Sequence, residues 1–213
     1  MPSQMVNFET LQMPPQNTNS VVVSCGGKCA IFDPWGHEDN WVQWLKTKAL
    51  IPVAIYITHG HPDHIAAAPK LAKKFNIPWY LHNADFRLVG WGNDLLEYFG
   101  LAPISIHDVR PTQLPQDMVQ IMDGISAKII ETPGHTPGGV AYYFEQEKKL
   151  IVGDTIFQDA YGRCDLPGGS EKLIMNSIHK IHDMNLPDDV AVIHGHGMNT
   201  TIGYLQKNNP FFK

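Results

Sequence analysis

The sequence predicts an α/β (α+β) domain in which sheet layers are covered by helices. Three observations carry this. β-Rich runs, "NSVVVSC" and "KCAIFD", stand near the start of the chain. A continuous apolar run, "PVAIYIT", has the look of a strand buried on both faces. Amphipathic segments such as "SEKLIMNSIHKIHDM" then alternate with further strands. The 213 residues contain no linker, repeat or low-complexity stretch, so residues 1–213 read as one domain.

The elements follow in order. Gly26-Gly27 joins the first two runs as a hairpin, and "DPWG" closes its second strand. "DNWVQWLKTKAL" is helical, with Trp41, Trp44 and Leu45 in register and Asp39 or Asn40 as cap. After "PVAIYIT" comes "THGHPDH", a strand-to-helix turn. Ile65, Ala68, Leu71, Ala72 and Phe75 then mark one helical face, with Lys70, Lys73 and Lys74 on the solvated side. "IPWYLH" is a strand, and "ADFRLVG" and "NDLLEYFG" are helical fragments. "AKIIETPGHTPGG" is a strand running into a loop. "GVAYYFEQEKKLIVGDTIF" is a strand pair turning near residues 146–148 and ending at Asp154. The next helix buries Leu173, Ile174, Ile178 and Ile181, with Ser170 as N-cap. "DVAVIHGHG" is a last strand, and the tail holds a short helix.

Composition limits the function. The chain is 43% hydrophobic and 17% charged, as a globular protein should be, and carries a net charge of -5. Without a basic run, nucleic acid is a poor fit as partner. No apolar stretch is long enough to cross a bilayer, and the N-terminus lacks the pattern of a secretory leader. Cys25, Cys29 and Cys164 are odd in number and widely spaced, which points to reduced thiols in a cytoplasmic protein.

Histidine is the outlier, with 11 copies gathered beside turns. His59, His61, Asp63 and His64 crowd one strand end; chance produces such a cluster roughly two times in a thousand. His135, Asp154 and His196 stand at the ends of later strands. Imidazole and carboxylate are the ligands that zinc and other borderline divalent metals accept. Residues 59 and 61 can point to one side of an extended segment while Asp63 and His64 follow the turn, so one stretch can feed two metals. His194 competes with His196 for the last position. His37, His82, His107, His179 and His182 read as surface or supporting residues.

"THGHPDH" resembles the His-x-His-x-Asp-His signature of the metallo-β-lactamase fold. "ETPGHTPGG", "GDTIF" and "HGHG" match that family's later motifs in order, and "FDPWG" resembles its early Asp-Pro-Gly turn. Within the family, "GDTIF", "GRCDLPGGS" and "GHGMNTTIG" followed by "NPFF" resemble the short glyoxalase II-like hydrolases. The resemblance implies a four-layer αββα sandwich and two divalent metal ions, zinc first, with iron or manganese accepted by the same ligands. It implies one site of His59, His61 and His135, another of Asp63, His64 and His196, and Asp154 bridging them. It implies thioester hydrolysis, with S-D-lactoylglutathione or a similar small glutathione-linked thioester as substrate. A shared hydroxide oriented by Asp63 would attack the carbonyl, and the thiolate would leave without a strong acid. Arg163 falls where the family places a basic residue against glutathione's carboxylate.

Some residues depart from the pattern. His194 replaces a proline, Ser170 stands where relatives often have Asp, and Leu205 stands where they have Glu. Full-length glyoxalase II enzymes also carry an added helical region that helps bind glutathione, for which this sequence has no room. Three other functions fit parts of the pattern. A mononuclear iron persulfide dioxygenase could use His59, His135 and Asp154; a lactonase-type metallohydrolase is a further alternative; a non-catalytic metal-stabilised module should lack ligands, and none is missing. True β-lactamases generally lack the bridging Asp.

Overall fold

A computed structural model describes residues 5–15, 17–105, 107 and 110–213. The first four residues of the N-terminus read above for a leader lie outside them. Strands β1 (Asn7–Gln12), β2 (Asn19–Cys25), β3 (Lys28–Phe32), β4 (Ile51–Tyr56), β5 (Trp79–Leu81) and β6 (Thr112–Gln113) lie side by side in that order. Strands β7 (Met118–Met122), β8 (Ile125–Glu131), β9 (Val140–Phe144), β10 (Lys149–Gly153), β11 (Ala191–His194) and β12 (Thr200–Thr201) form a second six-stranded sheet. The helices are α1 (Glu38–Thr47), α2 (Pro62–Ile65), α3 (Ala68–Phe75), α4 (Asn93–Tyr98), α5 (Glu171–Asp183) and α6 (Ile202–Asn208), with a 3-10 helix at Asn83–Leu88.

Strand alternation builds the layers. Val22 and Ile55 face α1 and α3, where they meet Trp41, Leu45 and Leu71. Their neighbours Val21, Val23, Ala54 and Tyr56 face the other way, against Val119, Tyr142, Phe144 and Ile151 of the second sheet. That sheet's outer face, including Ala141, Tyr143 and Val192, is covered by Ile174, Ile178 and Ile181 of α5 and Leu205 of α6. Side chains alternating every second residue thus make three successive apolar cores and four layers. The αββα sandwich implied by the motifs is the observed fold.

Several local expectations are met. Gly26 and Gly27 take φ of 58° and 80°, the two positive values a tight turn between right-twisted strands demands. Ser170 caps α5, its hydroxyl accepting from the Leu173 amide at 3.4 Å. Others are corrected. The cap of α1 is His37, with no side-chain bond, rather than Asp39 or Asn40, because the helix already begins at Glu38. The helical face running from Ile65 to Phe75 is broken into α2 and α3. Pro69 has no amide to donate to the Ile65 carbonyl, so it sits at a helix start instead. Residues 83–88 are 3-10. Leu173 is 42% exposed and Ser177 is buried in its place, since the inward stripe runs 174–177–178–181. β10 stops at Gly153, one residue before Asp154. β1 and β7 were not expected from the sequence at all.

Phe32 ties the two sheets together. It is fully buried, with Tyr56, Tyr142 and Phe144 rings at 5.3, 5.1 and 5.9 Å. Phe32→Ala should lower unfolding free energy by about 3–5 kcal/mol, read from the shift of a urea transition.

Candidate metal centre

Every candidate ligand follows the carboxyl end of a strand at one edge of the sandwich. β4 delivers Thr58 through His64, β8 leads to His135, β10 to Asp154 and β11 to His196. The two sheets are stitched together there. The Val140 amide donates to the Thr58 carbonyl at 2.9 Å, and the Asn19 amide to the Gly195 carbonyl at 2.7 Å. The Asn19 side chain adds bonds to the carbonyls of His194 and Gly197, each 2.9 Å. The ligand loops are therefore set by backbone hydrogen bonds between layers, not by the loops alone.

The sequence-predicted residues converge. Potential ligand atoms of His59, His61 and His135 lie within 4.8 Å of one another, as do those of Asp63, His64 and His196. Asp154 lies between the sets: its Oδ2 is 3.5 Å from both His135 Nε2 and His196 Nε2, and its Oδ1 is 3.5 Å from His64 Nε2. Asp63 Oδ2 is 3.1 Å from His196 Nε2 and accepts from Thr18 Oγ1 at 3.2 Å. Gly195 is required beside them, because a Cβ there would collide with Asp154 Oδ1.

Hydrogen bonds on the outer side of each ring fix which nitrogen faces inward. Asp33 accepts from the Thr58 amide at 2.7 Å, from Thr58 Oγ1 at 2.6 Å and from His64 Nδ1 at 2.9 Å. With its hydroxyl proton given to Asp33, Thr58 Oγ1 accepts from His59 Nδ1 at 3.0 Å. His135 Nδ1 donates to the Arg163 carbonyl at 2.7 Å. For His59 and His64 the opposite nitrogen, Nε2, faces the cluster without a hydrogen-bond partner. His135 Nε2 comes within 2.8 Å of His61 Nδ1.

The residues present fit divalent cations. Among the described residues, buried side-chain atoms without a hydrogen-bond partner include His59 Nε2, His61 Nε2, His64 Nε2 and Asp154 Oδ1. Leaving such atoms unmet costs about 1–3 kcal/mol each, more when charged, so four in one place call for an external partner. The electrostatics agree. Burial opposes a charged His64, yet the carboxylates of Asp63, Asp154 and Asp33 push it up to about 9. Burial likewise opposes a charged His196, and hydrogen bonds and charge from Asp154 and Asp63 push it up to about 10. Burial and the neighbouring His135 push His61 down to about 3. The Asp63/His64/His196 end demands positive charge, which protons or metal can supply, whereas burial favours a neutral His61.

His194 and His196 separate cleanly. Both nitrogens of His194 face protein oxygens, the Ile156 carbonyl at 2.6 Å and Thr200 Oγ1 at 2.9 Å. None of His37, His82, His107, His179 and His182 joins a ligand group. Arg163 turns outward and forms a two-pronged pair with Asp165 at 2.8 and 2.7 Å. Leu205 is buried in the core under α6. Aromatic rings flank the cluster: Trp91 lies 5.7 Å from the His61 ring, and Phe157 6.3 Å from His196. Asp33, Thr58, Thr18 and Asn19 are supporting residues the sequence reading did not assign. Of these, only Asp33 gave a signal, through its place in "FDPWG".

His196→Ala should weaken metal binding at the Asp63/His64 end by more than about 100-fold, beyond the loss typical for an outer partner. His194→Gln should keep its metal and instead lower stability by about 1–3 kcal/mol. Metal content after dialysis and chemical denaturation check the two outcomes.

The profile of the Metallo-beta-lactamase superfamily matches residues 13–196. The probable metallo-hydrolase YqgX of Bacillus subtilis is 33% identical, with 97% of each chain covered. The hydroxyacylglutathione hydrolase GloC of Haemophilus influenzae is 33% identical, covering 85% of this chain and 86% of that one. The crystal structure of the BLEG-1 B3 metallo-beta-lactamase superposes with TM-score 0.86 at 34% identity, covering 97% of this chain and 100% of that one. TTHA1623 in a di-iron-bound form gives 0.84 at 30% identity, covering 95% and 99%. Motif order, four-layer fold and sequence match coincide over nearly the whole length, and the chain belongs to the metallo-beta-lactamase superfamily.

Proposed function

We propose that the chain is a glyoxalase II-like thioesterase that cleaves S-D-lactoylglutathione or a similar acyl thioester, acting as one domain in the cytoplasm. The observation that carries the hydrolase reading is the complete set of seven inward-facing groups, with Asp154 between two clusters. His59, His61 and His135 would hold one ion, Asp63, His64 and His196 the other, and Asp154 both. Zinc is the first choice, and the di-iron relative makes iron the second. When bound, such ions polarise a carbonyl and acidify water.

The protein's own groups do the rest. Asp33 and the Arg163 carbonyl hold His59, His64 and His135 in one tautomer and orientation, so little reorganisation accompanies reaction. Asp63 stays ionised: burial works against this, but the charge on His64 and the bond from His196 hold its carboxyl well below the usual carboxylate range. Its position suits it to orient a water. A thiolate leaves without a general acid, and the cluster has none committed to that role. The thioester reading draws support from the hydroxyacylglutathione hydrolase relative at 33% identity. In this proposal Arg163 swings from Asp165 to the glutathione carboxylate.

The metal-loaded full chain should hydrolyse S-D-lactoylglutathione, and His61→Ala should reduce the rate to the buffer blank. Failure of the loaded protein to turn over any thioester would sink the reading. Cleavage of a chromogenic cephalosporin instead would favour β-lactam hydrolysis, the activity named for the BLEG-1 relative. Oxygen uptake with glutathione persulfide would favour the dioxygenase.

A further inference from the structure

Asp85, in the 3-10 helix, is not one of the candidate ligands, yet it touches both loops that carry the His59/His61/His135 group. Its residue is fully buried. Its Oδ2 accepts from the Gly60 amide at 2.8 Å and from Thr136 Oγ1 at 2.7 Å, and its Oδ1 from the Gly138 amide at 2.6 Å. Gly60 separates His59 from His61, and Thr136 follows His135. One carboxylate thus clamps the loop with two of these histidines to the loop with the third.

The glycines show how tight the clamp is. A Cβ at residue 60 would stand 3.0 Å from the Asp85 Cβ, and one at 138 would stand 2.8 Å from both its Cγ and Oδ1. Both amides approach the carboxylate only because neither residue has a side chain. The three donors are neutral groups, two backbone amides and one hydroxyl. Asp33 does the corresponding work for His64, at the other end of the cluster. Asp33 also reaches His59 through Thr58, so Asp85 is the carboxylate whose hydrogen bonds are confined to the loops of the His59/His61/His135 pocket.

We propose that Asp85 is the positioning residue of the His59/His61/His135 pocket, governing its metal affinity independently of the Asp63/His64/His196 pocket. The inference rests on the two-pocket reading above. An outer carboxylate acts on a metal through the orientation and the field it gives the ligands, an effect of about 10–100-fold in affinity.

Cobalt(II) titration of the metal-stripped full chain, followed by visible absorption and equilibrium dialysis, tests it. The parent should take up two equivalents. Asp85→Asn keeps the shape but sets an amide N–H against an amide donor; one equivalent should weaken by about 10–100-fold and the other stay as in the parent. Gly138→Ala pushes on the same carboxylate without changing its charge and should weaken the same equivalent. It also decides the matter if Asp85→Asn does not fold by circular dichroism. Two unchanged equivalents in the variants that fold would overturn the inference, as would equal weakening of both. A parent that binds fewer than two would instead overturn the two-pocket reading.

Discussion

Asp33 is the carboxylate on which the centre is built. It stands where β3 ends, with φ of 49°, a left-handed conformation that Asp tolerates better than most residues. That turn aims its side chain across to the end of β4, where it binds Thr58 and His64. Its own carbonyl is held by Ser20 at 2.7 Å. A buried carboxylate with three donors is stable only while those donors stay in place, so the position of β4 relative to β2 and β3 and the inward direction of two imidazoles are set together. The sheet interior supplies rigidity, and the polar edge supplies direction.

The candidate metal ligands were legible because the requirement is chemical and local. A divalent ion accepts few side-chain types, and a turn at a strand end allows few spacings. His59, His61, Asp63 and His64 met both conditions within six residues, and the rest stood at later strand ends. The supporting residues were not legible for the opposite reason. A buried Asp and a surface Asp are the same letter. Asp85 is separated from Gly60 by 25 residues and from Gly138 by 53, so only the folded chain shows that they touch.

The fold was legible where burial was two-sided or strongly periodic. β4 and α5 were recognisable on those grounds, although α5 showed its true inward face only once Ser177 was seen bonded to the Pro133 carbonyl at 2.7 Å. β1 escaped because "NFETLQ" is half-exposed and mixed in polarity, a profile that edge strands share with loops. The break after α2 was in principle visible at Pro69, but the apolar repeat ran through it and hid it.

The contact between His135 and residue 163 has a different consequence. The imidazole is oriented by the backbone carbonyl of Arg163, while the side chain of that residue points to the surface and engages Asp165. Any amino acid that keeps the local backbone supplies the same carbonyl. Exposed positions such as 163 and 165 can thus exchange their side chains over evolutionary time without disturbing the histidine beneath, whereas Gly162 and the Ser170 cap stay fixed. New specificities can be written on that outer surface while the inner one stays constant, which gives a single scaffold room to diversify.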